Sequence, residues 1–232
     1  MPTYTIFAGV NGCGKTSIYK SVYYEENKDE KRINTDEMVA RVGSWKDNTL
    51  QLKCAREAVK LIKEYIHKGI SFNQETTLCG KSIIRNIKTA KSKGFYIVMN
   101  YIGVESSDIA KERVKYRVSQ GGHGIPDEDI ERRYYESLEN LNQIIEICDE
   151  VNIYDNTDRF KEIIYFKDGN LIWNDNMLPK WANKLAKWYL LTYFLFYRYK
   201  NLTTILVTSY NDIDKNSCHN DNKNSQEGLN AT

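Results

Sequence analysis

The sequence shows no excess of either charge. Lys and Arg number 33 against 31 Asp and Glu, for a formal net charge of +2. A nucleic-acid binder more often carries a clear basic excess, so no nucleic acid is expected as a partner. The five cysteines, Cys13, Cys54, Cys79, Cys148 and Cys218, are odd in number and form no CxxC pair. Neither a zinc site nor a disulfide framework is indicated, which fits a reducing, cytoplasmic setting. No basic stretch precedes the apolar residues from Thr3 to Phe7, so no signal peptide is expected. Long apolar runs are also missing. Trp188 to Tyr197 is about half of what a bilayer span needs, and Arg198, Lys200 and Asn201 interrupt it, so no membrane span is expected.

What is present suits one α/β domain. The chain has 232 residues, with 41% hydrophobic and 28% charged, enough for a full core but not for two. Residues 4–8 are β-branched and aromatic and end at Gly9, as a buried first strand would. A helix is expected after Gly14, then a short strand ending near Ile33. Residues 50–66 read as a helix with Leu52, Ala55, Val59, Ile62 and Ile66 on one face. Lys68 and Gly69 end it, and Ile70 to Gln74 start a strand. The same punctuation returns: a helix over 81–92, Lys93-Gly94, then a strand from Phe95 to Tyr101. Strand, helix and strand repeated this way indicate βαβ crossovers and a parallel sheet. Helices follow near Ser107 to Val118 and from Pro126 onward, the latter with Ile130, Tyr134, Leu138, Leu141, Ile145 and Cys148 on one face. Val151 to Tyr154 is the last core strand, and a hairpin turns at Asp168-Gly169.

Gly9-Val10-Asn11-Gly12-Cys13-Gly14-Lys15-Thr16 matches GxxxxGK[ST] at every fixed position. Glycines let the backbone curl until several N–H groups face one concavity, and the next helix adds its positive end. Lys15 then reaches the β- and γ-phosphates, and the Thr16 hydroxyl binds Mg²⁺. The expected ATP contacts are Gly9, Asn11, Gly12, Cys13, Gly14, Lys15, Thr16 and Ser17. Cys13 is given no redox role.

Further absences narrow the class. A GTPase needs DxxG, which is nowhere in the chain, and Asn27-Lys28-Asp29-Glu30 has the wrong spacing for a guanine-reading NKxD. A motor ATPase needs an apolar strand ending in Asp-Glu, and here Ile70 to Glu75 is not one. A small kinase is left. Asp36, just beyond the second strand, is placed at the carboxyl edge of the sheet. Two roles stand open for it: accepting the proton of an attacking hydroxyl, or capping a helix that begins at Glu37. Glu75 ends the third strand at the same edge and suits a substrate hydroxyl or a water on Mg²⁺. Arg113, Arg117, Arg132 and Arg133 flank Gly121-Gly122-His123-Gly124 on two helices, as a closing lid would require. His123 is placed near the substrate.

In this order the motifs become specific: the phosphate loop, Ile33-Asn34-Thr35-Asp36, Phe72-Asn73-Gln74-Glu75-Thr76-Thr77-Leu78, the lid with Arg132-Arg133-Tyr134-Tyr135, and Val151 to Asn156. Together they resemble the zeta-toxin-like P-loop kinases over about Thr3 to Leu185. The resemblance implies ATP-dependent phosphorylation of a small molecule; the best-known toxins of that family act on UDP-N-acetylglucosamine. It implies Asp36 as the catalytic base, Glu75 with neighbouring Thr76 on the substrate, and Arg113 as the first lid arginine. The family's second lid arginine is replaced here by Gly122-His123-Gly124, so Arg117 or Arg133 is expected to substitute.

The expected fold is therefore an α/β P-loop NTPase, a parallel sheet of about five strands with helices on both faces, plus a small C-terminal hairpin. Residues 1–186 are expected as the kinase domain, 187–209 as an apolar and basic extension of no assigned role, and 210–232 as a disordered tail. The expected catalytic residues are Lys15, Asp36, Arg113 and Arg117, with ATP and Mg²⁺ as cofactors and Arg133 on the ATP. The expected partner is a hydroxyl-bearing small molecule, a nucleotide sugar among the options. A second reading is an ATP-binding module without transfer, paired with an antitoxin protein. A third, a nucleic-acid end kinase, runs against the near-neutral charge.

Overall fold

The computed structural model describes residues 1–45, 47–183 and 185. The expected extension over 187–209 and tail over 210–232 lie outside them. One compact unit spans Met1–Ala186.

Seven strands form one sheet in the order β2-β3-β1-β4-β5-β6-β7. Strands β1 (Thr3–Ala8), β2 (Lys31–Ile33), β3 (Phe72–Thr76), β4 (Tyr96–Gly103) and β5 (Glu150–Asp155) run parallel. β6 (Lys161–Lys167) and β7 (Asn170–Asn174) form the expected hairpin. It is not a separate element: β6 pairs antiparallel with β5 and extends the same sheet. β1 lies between β3 and β4, so strand order reverses at it, and the carboxyl end of such a strand is where α/β sheets bind ligands.

The sheet buries apolar side chains on both faces. Phe7 of β1 and Ile102 of β4 join Tyr19, Ala110 and Val114 in one cluster. Tyr4, pointing the other way, stacks on Phe72 at 4.2 Å, and Phe72 meets Tyr65. Such ring pairs add about 0.5–1.5 kcal/mol beyond the area they bury.

Helix α1 (Lys15–Ile18) is short and continues as a π-turn through Tyr23. α2 covers Thr35–Val42 and α3 Asn48–Lys68, the latter ended by Gly69 in the left-handed region at φ 65°. The buried face of α3 differs from the expected one. Cys54, Ala58, Ile62 and Ile66 are buried, while Leu52 and Val59 are 60% and 44% exposed and Ala55 is exposed. α4 (Lys81–Ser92), α5 (Ser107–Ser119) and α6 (Asp127–Ile144) follow. Pro126 stands just before α6 rather than in its first turn, and the helix stops before Ile145 and Cys148, which are buried nonetheless. None of the helices among the described residues is long and apolar enough to cross a membrane.

Candidate active site

The phosphate loop leaves β1 under tight steric control. Gly9 has φ 138°, and a Cβ there would stand 2.1 Å from the carbonyl oxygen of Ile102. Gly14 has φ 103°, and a Cβ would reach within 2.5 Å of the Asn156 amide nitrogen. That nitrogen donates to the Cys13 carbonyl at 2.8 Å, so the end of β5 braces the loop from below. The Lys15 ammonium is buried and donates to the carbonyls of Gly9 (2.9 Å) and Val10 (3.0 Å). The Cys13 thiol is fully buried, and burial pushes its pKa up against the lowering pull of Lys15. It is held as a thiol in the core.

Thr16 Oγ1 donates to Glu75 Oε1 at 2.8 Å. The other oxygen of Glu75 accepts from Arg32 Nη2 at 2.8 Å and Asn34 Nδ2 at 2.7 Å. Asn34 is also the cap of α2: its Oδ1 accepts from the backbone N–H of Asp36 (2.9 Å) and of Glu37 (3.3 Å). This removes the capping role considered for Asp36. Asp36 lies in the first turn, exposed to the cleft, and no side chain among the described residues pairs with its carboxylate. The Thr76 hydroxyl accepts from the N–H of Leu78 at 3.0 Å. Leu78 is buried with φ 60°, and Asn140 donates to its carbonyl at 2.8 Å, tying the loop after β3 to α6.

Residues 120–126, the expected lid, join α5 to α6. Arg117 donates twice to the His123 carbonyl, at 3.0 and 2.7 Å. A Cβ on Gly122 would stand 2.6 Å from Arg117 Cγ, so the turn closes tightly on that side chain. Arg113 donates to the Thr157 carbonyl at 2.7 Å, and Arg133 to Asn11 Oδ1 at 3.0 Å. Arg132 instead pairs with Asp129 and Glu136. The His123 ring stacks on Trp45 at 4.5 Å. Burial lowers its pKa from the usual 6.5, with Arg117 and Arg133 acting the same way and Asp36 opposing. The net effect favours the neutral imidazole.

These elements enclose a cleft of about 1090 Å³. Asn11, Gly12, Gly14, Lys15, Thr16, Ser17, Asp36, Glu75, Thr76, Arg113, Arg117, His123 and Arg133 all line it. Gly9 and Cys13 lie beneath the loop instead. Sequence reasoning missed Arg32, Asn156 and Trp45. Asn156 had a signal, since it closes the last quoted motif; Arg32, one charge in a three-residue strand, had none. No cluster of three or more His, Cys, Asp or Glu suited to a metal exists among the described residues.

No protein-family model matches the chain. An uncharacterized protein of Haemophilus influenzae is 33% identical over 128 residues, which cover 55% of this chain and 89% of that protein. Among solved structures, AvrRxo1-ORF1:-ORF2 with ATP superposes with a TM-score of 0.61 at 13% identity, covering 81% of this chain and 63% of that one. This chain thus spans less than two thirds of that neighbour's length. The PezAT chromosomal toxin–antitoxin system of Streptococcus pneumoniae gives a TM-score of 0.52 at 14% identity, over 78% of this chain and 76% of that one. The fold is shared with both of these neighbours.

Proposed function

This chain belongs to one family with the uncharacterized Haemophilus influenzae protein, and we propose that it is an ATP-dependent kinase acting on a hydroxyl of a small molecule. One observation carries the reading. Lys15, Arg113, Arg117 and Arg133 face one cleft, and each is hydrogen-bonded to neutral oxygens of loops and side chains. Among the described residues none of the four is paired with a carboxylate. Their donors are held by neutral oxygens, as suits a polyphosphate site, because phosphate oxygens offer stronger, charge-assisted bonds than carbonyls do. Asp36 faces the same space with its carboxylate unpaired.

The chemistry follows from that layout. Asp36 accepts the proton of the acceptor hydroxyl as its oxygen bonds to the γ-phosphorus of ATP. The bond from that phosphorus to the β–γ bridging oxygen breaks, and ADP leaves with the electron pair. Lys15 and the lid arginines stabilise the charge on the transferring group, at the cost of their present carbonyl bonds. Mg²⁺, when bound, would supply positive charge beside the phosphates. The donor set suits it: a hydroxyl and a carboxylate 2.8 Å apart beside the loop, both hard oxygen ligands. Thr16 would hold the ion and Glu75 a water on it; both oxygens of Glu75 already accept hydrogen bonds, which favours the metal side for it over the acceptor. Thr76 and His123 border the acceptor, for which nucleotide sugars are the first class to try. A neutralising antitoxin protein is part of the same proposal, since the PezAT neighbour is a toxin–antitoxin system.

The test is mass spectrometry of small molecules in a cell extract given ATP and either the parent or Lys15→Ala. New phosphorylated species are expected with the parent alone. Tight ATP binding by the parent with no product on any acceptor would sink the kinase reading and leave a nucleotide-binding partner module.

A further inference from the structure

Arg32 lies outside every motif that points to phosphate chemistry, yet it is the most heavily engaged side chain near the cleft. Its side chain is 10% exposed. Nε donates to both oxygens of Glu37, at 3.2 and 3.0 Å, and Nη2 donates to Glu37 Oε1 at 2.9 Å. Nη2 also reaches Glu75 Oε2 at 2.8 Å, and Nη1 reaches Asn73 Oδ1 at 3.1 Å. The guanidinium plane lies 3.4 Å from the ring centre of Tyr19, in the helical run that leaves the phosphate loop.

The contacts fall on three elements: α2, β3 and the helical run after the phosphate loop. Glu37 follows Asp36 in the first turn of α2. Glu75 ends β3 and receives the Thr16 hydroxyl. Tyr19 lies one turn beyond Thr16. One planar fork thus joins the element bearing the candidate base, the candidate metal-side carboxylate and the helix of the phosphate loop. Asn34 also ties α2 to Glu75, through its amide donor and its cap of the first turn; Arg32 adds the link to the helix of the phosphate loop. A burial cost also demands an explanation. A guanidinium between two carboxylates is often no more stabilising than apolar residues of the same volume, so fold stability alone gives little reason for this arrangement.

We propose that Arg32 is a positioning residue, which holds Glu75 on Thr16 and fixes the first turn of α2 against that pair. It touches neither phosphate nor acceptor. The inference rests on the nucleotide reading of the site. Lys cannot replace it, because a single ammonium lacks the fork that spans two carboxylates and the plane that stacks on a ring.

The test uses the full chain and a non-hydrolysable ATP analogue, with affinity measured calorimetrically in Mg²⁺ and in chelator. The variants are Arg32→Lys, Arg32→Met, Glu75→Gln and the double variant Arg32→Met with Glu75→Gln. Both Arg32 variants are expected to lose about tenfold of the affinity gain from Mg²⁺, as outer-shell partners of metal sites do. Metal-free affinity should stay within about twofold, and Arg32→Met should add nothing further to Glu75→Gln. Arg32→Lys, which keeps the charge and much of the volume, covers the case in which Arg32→Met fails to fold. Equal losses with and without Mg²⁺, an unchanged Mg²⁺ gain, or full additivity with Glu75→Gln would each overturn the proposal. A parent that binds no analogue under either condition would overturn the nucleotide reading, and this inference with it.

Discussion

Asp36→Asn separates chemistry from structure because Asn34 does the capping. The substitution keeps side-chain volume and removes one negative charge from the first turn of α2. At an exposed helix start that charge contributes about 0.3–1 kcal/mol through the helix dipole, so the loss of stability should not exceed about 1 kcal/mol. No hydrogen bond to the Asp36 carboxylate is forfeited among the described residues. The rate is another matter. A positioned general base contributes about 10²- to 10⁴-fold, which raises the barrier by about 2.7–5.5 kcal/mol. Asn34→Ala gives the opposite profile. It removes the acceptor for two backbone N–H groups and a donor to Glu75, and a lost cap costs about 0.5–2 kcal/mol. The assay measures transfer of labelled γ-phosphate to the acceptor found in the extract screen, beside a denaturant melt of each variant. Transfer by Asp36→Asn at the parent rate would refute the base assignment. A stability loss well above about 1 kcal/mol for Asp36→Asn would refute the division of labour between the two residues.

The imidazole of His123 supplies a pH prediction. Its folded pKa is depressed, so the unfolded chain binds more protons below the unfolded value near 6.5. The stabilisation is fully present above that pH and is lost as pH falls from it through the folded value. The melting midpoint of the parent should therefore drop more steeply than that of His123→Gln between about pH 7 and 5; parallel curves would refute it. The α3 register supplies another. Ile62→Ala should cost about 2–5 kcal/mol as a core truncation, and Val59→Ala should cost well under that, because Val59 is 44% exposed. Equal costs in urea melts would restore the face expected from the sequence.

That α3 register shows where pattern reading stops. Leu52, Ala55, Val59, Ile62 and Ile66 recur at steps of three and four, but Cys54, Ala58, Ile62 and Ile66 recur at steps of four. The two stripes share their last members, so periodicity fixes the C-terminal turns and leaves the first ones open. What decides is the neighbour. The first turns of α3 pass the cleft, where Leu52 and Ala55 line the cavity, and only the later turns are buried on both stripes' common residues. Element existence was readable because strand ends and helix stops carry their own residues, such as Gly69 and the Lys93-Gly94 pair. Whether the hairpin continued the sheet was not, because β6 and β7 alternate in the same way wherever they pair.

The arginines make the sharper case. By residue type and position alone, Arg113, Arg117, Arg132 and Arg133 are four cations on two helices beside a glycine-rich turn, and only the family resemblance sets Arg113 apart. Their partners divide them. Arg132 is spent on Asp129 and Glu136, so its charge is already balanced where it stands. Arg113, Arg117 and Arg133 hold a carbonyl, a carbonyl and an amide oxygen, so none of them forms an ion pair with a carboxylate among the described residues. Arg32, which no motif marks, is balanced by two carboxylates and can only organise. Phosphate affinity depends on net field and free donors, not on the count of guanidinium groups. Removing Arg132 should therefore leave nucleotide affinity nearly untouched, whereas removing Arg133 takes away both a cation held by a neutral oxygen and the partner of Asn11 inside the phosphate loop. The partners of Arg113 and Arg133, and the Glu75 partner of Arg32, are distant in sequence, and that is the kind of fact a motif cannot encode.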